Sequence, residues 1–262
     1  MLVNKLIVTL IEIGKMFDYK QRETTNEYRD GWDRIWGETV TIKSNFQQFF
    51  IQTIDKKIAK DIIITNHYTH KWTSCRYALG LFNNNKLVGV AIYGFPVGRR
   101  TVKSISSILE NSDVLELTRL WINDSEGYNT ESWFIGQTFK WLRTNTKIKV
   151  LISYSDPEQH HLGIIYQATN WLYQGNKTQL VNSVKVYING ESLHPRTCVS
   201  KYGTINLVKL KKIDFNCFYI QMLQKHRYIY ILSKRNKRII LQTLKHPILN
   251  YPKGENYVAR RS

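Results

Sequence analysis

Between Tyr77 and Tyr173 the apolar pattern switches between the two-residue period of strands and the 3.6-residue period of helices. Tyr77–Phe82 and Lys86–Tyr93 flank the turn Asn83-Asn84-Asn85 and predict a hairpin. Gly94-Phe95-Pro96-Val97-Gly98-Arg99-Arg100 breaks the second strand, and Val114–Ile122 predicts a third. Thr130 or Asn129 caps a helix running to about Arg143, with Ile135, Phe139 and Leu142 on one face. Ile148–Tyr154 reads as a buried strand, and Leu162–Tyr173 as a second amphipathic helix stopped by Gly175. The order strand, strand, strand, helix, strand, helix predicts a mixed α/β sheet in which strand 114–122 reaches strand 148–154 through a crossover helix. Ligands in such sheets bind at the carboxyl ends of strands, which points to Ile122–Asn129 and Tyr154–His161.

Charge narrows the partner. Lys+Arg 38 minus Asp+Glu 20 gives +18 over 262 residues. Residues 1–176 carry 21 basic and 17 acidic side chains, a net of +4, and residues 177–262 carry 17 and 3, a net of +14. A polyanion is the expected partner. No apolar run reaches the roughly 18 residues a spanning helix needs, so no membrane partner is expected. Cys75, Cys198 and Cys217 are few and far apart, which argues against a disulfide framework and fits a reducing cytoplasm. Residues 1–14 hold one basic residue, Lys5, and Glu12 interrupts their apolar run, so an N-terminal helix or strand is expected rather than a signal peptide.

Chemistry-bearing residues concentrate in Ser153-Tyr154-Ser155-Asp156-Pro157-Glu158-Gln159-His160-His161. Asp156, at a strand end, can take a proton or ligate a metal; it can equally cap a turn before Pro157. His67 and His70 stand three apart, and with Asp156 and His161 they would make a mixed N/O set suited to iron(II) better than to structural zinc. Thr130 and Ser132 begin the crossover helix, where free N–H groups favour a donor's phosphate. Glu116 and Arg119, three apart on a strand, are expected on opposite faces, one of them catalytic.

The stretch continues through Leu162-Gly163-Ile164-Ile165-Tyr166-Gln167-Ala168-Thr169-Asn170-Trp171 and resembles the Mom DNA-modification proteins of bacteriophages, with His160 where that family has glycine. Glu116–Leu120, Asn129–Gly136, His194–Thr197, Lys201–Thr204 and Lys225–Tyr228 follow in the family's order, covering roughly residues 60–255. The resemblance implies a fold like the Gcn5-related N-acetyltransferases and a transferase that adds a small acyl- or carbamoyl-type group to adenine N6 in DNA. It implies Tyr166 as general acid, His67 as a candidate iron ligand, and work in the cytoplasm of a phage-infected bacterium, shielding DNA from restriction. The N6 amine is a major-groove donor, so a substituent there blocks its readout. The acyl donor is left open: acetyl-CoA is a candidate, but its Gly-rich pyrophosphate loop is not legible.

On this reading residues 1–60 are a segment packed on the core, 61–176 the acetyltransferase-like catalytic core, and 177–262 a basic, DNA-binding part of the same domain. Double-stranded DNA would be held by Arg99, Arg100, Arg196, Lys225, Arg227, Lys234, Arg235, Lys237 and Arg238, beside Phe215, Phe218, Tyr219, Tyr228 and Tyr230. Two other functions stand beside this one: acyl transfer to an amine-bearing hypermodified pyrimidine in phage DNA, and non-catalytic DNA binding that blocks restriction.

Overall fold

A computed structural model describes residues 48–98, 100–159, 161–176 and 184–252. Most of the expected N-terminal segment, together with Arg99 and His160, lies outside the described residues. The chain runs β1 (Phe49–Thr53), α1 (Lys56–Asn66), β2 (Tyr77–Asn83), β3 (Lys86–Gly94), α2 (Thr101–Ile105), β4 (Val114–Ile122), α3 (Thr130–Asn145) and β5 (Val150–Ser155). It continues through α4 (Ile164–Ala168), β6 (Leu172–Tyr173), β7 (Val184–Ile188), β8 (Glu191–Leu193), α5 (Pro195–Tyr202), α6 (Leu207–Leu210), β9 (Phe218–Gln221), β10 (His226–Ile231) and α7 (Lys237–Gln242). Seven strands form one mixed sheet in the order β1-β2-β3-β4-β5-β10-β6, and β8-β7-β9 form a second. The mixed α/β architecture is the expected one.

Local chemistry explains the elements that position the site. Asn84 (φ 45°) and Asn85 (φ 66°) both take the left-handed conformation that a two-residue hairpin loop needs. Asp55 caps α1 by accepting from Lys57 N at 2.6 Å, and Ala59 and Ile63, one turn apart, are buried with the sheet residues Ala78, Val90 and Ile92. On the other face α3 buries Phe134, Ile135, Phe139 and Leu142 in the largest core, with Leu115, Leu151 and Tyr228. The face under α1 is divided. One cluster lies below that helix, and a second holds Val102, Ile105, Val114, Ile152, Ile229 and Ile240 below α2 and α7.

β4 and β5 are parallel but pair only from Val114↔Val150 to Glu116↔Ile152, although both strands continue. Beyond Glu116 the ladder ends and the sheet is open. The β3–β4 register also slips: Ile92 pairs with Arg119 and Tyr93 with Leu117, so Thr118 is the extra residue of a bulge, its hydroxyl donating to Ile92 O at 3.1 Å.

One expectation changes here. The second helix does not run to Tyr173: it ends at Ala168, Asn170 (φ 58°) turns the chain, and Leu172–Tyr173 become strand paired to β10. The basic third contributes to the main sheet, because β10 lies between β5 and β6. Between β6 and β10 the second sheet, with α5 and α6, forms a lobe around its own buried Val186, Ile188, Cys198, Leu210 and Cys217.

Candidate active site

The bulge at Thr118 decides the site. Across an antiparallel ladder, paired residues share a face, and Glu116 and Arg119 pair with Gly94 and Ile92, two apart on β3. Glu116 and Arg119 therefore lie on one face, not on opposite faces as plain alternation predicts. Burial raises the Glu116 carboxyl to about 7, against the opposing pull of Arg119 and Lys225. Arg119 donates to Lys71 O at 3.2 Å and Thr118 O at 2.6 Å.

From the opposite face Tyr166 reaches the same opening. Its hydroxyl stands 2.8 Å from Ser153 Oγ, which is also 2.8 Å from Leu117 O across the unpaired strands. The serine's single proton serves one of these oxygens at a time; when it goes to the Leu117 carbonyl, the Tyr166 hydroxyl is free to donate to Ser153 Oγ. Burial pushes Tyr166 up to about 12, with Tyr68 and Glu116 adding to the shift. It is a protonated phenol at neutral pH and 8% exposed. Gly163 (φ 76°) begins its helix where a Cβ would come within 2.6 Å of the Tyr228 ring, and Tyr228 Oη donates to Leu162 O at 2.5 Å.

An aromatic wall stands beside this opening. Tyr68 is 54% exposed, stacked on His67 at 4.3 Å and edge-on to His161 at 5.6 Å. Burial, then Arg119, His70 and His161, lowers His67 to about 4. Its Nδ1 accepts from Thr69 N at 3.1 Å and lies 2.9 Å from Thr69 Oγ1, which leaves the ring proton on Nε2.

That geometry does not suit the metal set expected of His67, Asp156 and His161. Asp156 pairs with Lys225 at 3.0 Å and accepts from Glu158 N at 3.1 Å, so both carboxylate oxygens are engaged in holding the loop. The His67 ring turns its lone pair to Thr69. Among the described residues no group of three or more His, Cys, Asp and Glu side chains is placed to hold an ion.

The expected phosphate site at α3 does not fit either. Thr130 is fully buried, and its hydroxyl is shared between Glu126 O and Gly127 O, at 2.9 and 3.0 Å. Ser132 donates to Asn129 O at 3.0 Å, and Asp124, Glu126 and Glu131 surround the helix start with negative charge.

The basic residues separate into distinct groups. Arg227 is 1% exposed because β10 is an interior strand; its Nη1 donates to Ser104 Oγ at 2.9 Å, and it cannot meet a surface polyanion. Lys234, Arg235, Lys237 and Arg238 follow β10 at the Val150 end of β5, near Lys149, whereas Asp156 follows the other end. A six-residue strand, roughly 20 Å, separates the two. Arg100 is exposed where α2 begins. Arg196 and Lys225 lie on the site's rim together with Lys71 and Lys185: burial and then the charges of Arg196, Lys71, Lys225 and Lys185 lower His194, the cap of α5. Tyr68, Lys71 and Lys185 have no signature in the sequence that marks them for this place, and His194 is marked only by the family-like segment His194–Thr197. Ser153 lies in the dense stretch.

Residues 48–253 match the family model described as the Mom protein family. The chain is 28% identical over 206 residues to methylcarbamoylase mom of Escherichia phage Mu, covering 78% of this chain and 83% of that protein. Solved structures that align include a spermidine N-acetyltransferase chimera containing Vibrio cholerae sequence, at 10% identity and TM-score 0.43 over 72% of this chain and 98% of that one. An N-acetyltransferase of Staphylococcus aureus Mu50 aligns at 12% identity and TM-score 0.38, over 70% and 97%.

Proposed function

The chain belongs to the Mom protein family, and from that premise we propose that it is a transferase that modifies DNA, placing a small acyl- or carbamoyl-type group on the exocyclic N6 amine of adenine. The observation that carries this reading is the pairing of Glu116, near 7, with Tyr166, near 12, at the opening between β4 and β5. The adenine N6 lone pair is delocalised into its ring, so the amine needs a base as its bond forms. Two groups held at different protonation states are what such a transfer requires.

The amine nitrogen forms a bond to the donor's electrophilic carbon, and the bond from that carbon to its leaving group breaks. Glu116 takes the amine proton. Tyr166 gives a proton to the leaving group, and after product release Glu116 returns its proton to water while the Tyr166 phenolate takes one back, its oxygen held meanwhile by the Ser153 hydroxyl. Tyr68 offers a face on which the purine stacks, and Lys71, Lys185, Arg196 and Lys225 meet the flanking phosphates. The relative's name, methylcarbamoylase, supports a carbamoyl-containing group. A coenzyme A thioester would have to place its phosphates elsewhere than at α3. Among the described residues no helix is long and apolar enough to cross a membrane. That the relative belongs to a phage of Escherichia supports work inside an infected bacterium.

The test is mass spectrometry of nucleosides from a plasmid co-expressed with the protein. A new deoxyadenosine adduct, lost in both Glu116→Gln and Tyr166→Phe, is expected. Wild-type adduct levels in both variants would remove these residues from the reaction. An adduct on another nucleoside would move the substrate, and no adduct with intact restriction blocking would leave a binding protein.

A further inference from the structure

On the reading of the chain as a DNA-modifying transferase, the donor needs an anchor, and the start of α3 does not supply one. Arg227 has the chemistry of an anchor. No other lysine or arginine among the described residues is buried. A buried cation ordinarily has a carboxylate beside it. Arg227 has none: its Nη1 donates to Ser104 Oγ at 2.9 Å, and Nε and Nη2, both shut off from water, have no acceptor among the described residues. Those two N–H groups are not an arbitrary pair. They point the same way along one edge of the guanidinium plane, the fork that receives both oxygens of a carboxylate.

Gln174 repeats the pattern on the neighbouring strand. Leu172 pairs with Ile229 and Tyr173 with Tyr228, so alternation raises Gln174 and Arg227 on one face. Gln174 is 3% exposed; its Nε2 donates to His246 O at 3.1 Å, and its Oε1 is buried without a donor among the described residues. A two-donor fork and a lone acceptor, both unfilled, thus rise from adjacent strands. The same face leads to the site. Arg227 pairs with Tyr154, and Ile152 pairs with both Ile229 and Glu116, so Arg227 and Glu116 lie on one side of the sheet. Two strand spacings and one two-residue step put their Cα atoms about 12 Å apart. Tyr154 stands between them, half-buried, and the charges of Arg227 and Glu116 both act on its hydroxyl. A DNA backbone cannot follow that path to a fork that water does not touch. A small planar anion can.

We propose that the free edge of the Arg227 guanidinium anchors a small carboxylate, the anionic handle of the donor, which the Tyr154 ring turns aside to admit. Acetate is the probe, because an anion that binds the folded state raises the unfolding temperature. With chloride replaced by acetate at constant ionic strength, purified full-length wild type is expected to gain about 2 °C or more, saturably. Arg227→Lys keeps the charge and loses the fork, and is expected to lose the gain. The exposed Arg235→Ala is expected to keep it. Dimethyl phosphate, which carries the anion of the DNA backbone, is expected to give no gain that depends on Arg227. In cells Arg227→Lys is expected to lower the deoxyadenosine adduct by about tenfold or more, the worth of a lost charge-assisted bond. Plasmid retention on filters is expected to stay within about threefold of wild type, because exposed phosphate contacts carry most of that affinity.

Equal acetate gains in Arg227→Lys and wild type would overturn the anchor, as would no saturable gain in wild type. So would a larger, Arg227-dependent gain from dimethyl phosphate, or wild-type adduct levels in Arg227→Lys. If Arg227→Lys does not fold, the arginine Nε–H spectrum of wild type decides. One slowly exchanging resonance is expected to move downfield as acetate is added, and a spectrum that never changes would mean a fork satisfied by water alone. The acetate measurements contain no DNA, so their failure strikes the anchor and leaves the DNA-modification reading standing. Absence of any nucleoside adduct from wild type would instead remove that reading, and the donor's anchor with it.

Discussion

Glu116 carries the clearest consequences of single-residue chemistry. Its folded value near 7 exceeds the ordinary 4.5, because burial disfavours the ionised form. The raised value makes folding favour the protonated carboxyl. That preference is complete below about 4.5 and is lost as pH rises through about 7. Glu116→Gln, which cannot ionise, is therefore expected to raise thermal stability relative to wild type at pH 8 and not at pH 4. The gain is bounded at roughly 3 kcal/mol by the size of the shift. As a base, Glu116 works only when ionised, so the modification rate is expected to climb through pH 7, with the limb absent and the rate about 10²–10⁴-fold lower in Glu116→Gln. A pH–rate profile flat between 6 and 8 in wild type would contradict this. At Gly163 the backbone is left-handed and a Cβ meets the Tyr228 ring. Gly163→Ala is expected to cost on the order of 1–3 kcal/mol in denaturant unfolding. Neither environment is written in the local sequence: a glutamate in a strand and a glycine before a helix are ordinary until the neighbouring strands close around them.

At the scale of elements, pattern and pairing pull apart in two places. The Val114–Ile122 strand has the bounds its sequence predicts, yet its alternation fails at Thr118, where the register against β3 slips by one residue. A bulge is a property of two strands, and the period of one strand does not report it. Inserting one residue between Ile92 and Tyr93 gives Thr118 a partner and removes the slip, and is expected to return Glu116 and Arg119 to opposite faces and abolish modification. Thr118→Ala keeps the extra residue and is expected to lose only about 1 kcal/mol, the bond to Ile92 O. Circular dichroism on both variants separates a misplaced site from an unfolded chain, and an active insertion variant would refute the bulge's role. The second departure is α4. Ile165, Thr169 and Leu172 have helical spacing, but pairing of Leu172–Tyr173 with β10 claims the last residues for the sheet. Trp171 N instead closes back on Tyr166 O at 2.9 Å, which shortens the helix around the tyrosine it presents.

For the whole molecule, the positive charge of residues 177–262 falls, among the described residues and apart from the buried Arg227, mainly at a rim of the site, a lobe and a distal cluster after β10. DNA affinity is expected to fall steeply with salt. Arg196→Ala, on the rim, is expected to lower the salt slope by about one and to reduce modification. Lys237→Ala, beyond the opposite end of β5, is expected to leave modification unchanged. Equal losses from both, measured by filter binding over a salt series and by nucleoside mass spectrometry, would mean that DNA crosses the distal cluster too. Truncation after Lys225 does not isolate the charge, since it removes β10 from the middle of the sheet. Such a chain is expected to lose cooperative unfolding.

Periodicity, turn residues and charge are local quantities, and what rests on them was legible in the sequence. They account for the hairpin at Asn84-Asn85, the strand 114–122, the crossover helix, the mixed sheet and the basic character of the C-terminal third. The IYQATNW block placed Tyr166 with its family. Tertiary structure alone decided which residues meet. Strand pairing put Glu116 and Arg119 on one face and ended the β4–β5 ladder where Tyr166 enters. It buried Arg227 in a central strand, tied Asp156 to Lys225 instead of a metal, and set Lys71, Lys185 and His194 around the opening. Each of these depends on contacts between residues far apart in the chain, and on the desolvation those contacts impose, which no window of sequence contains.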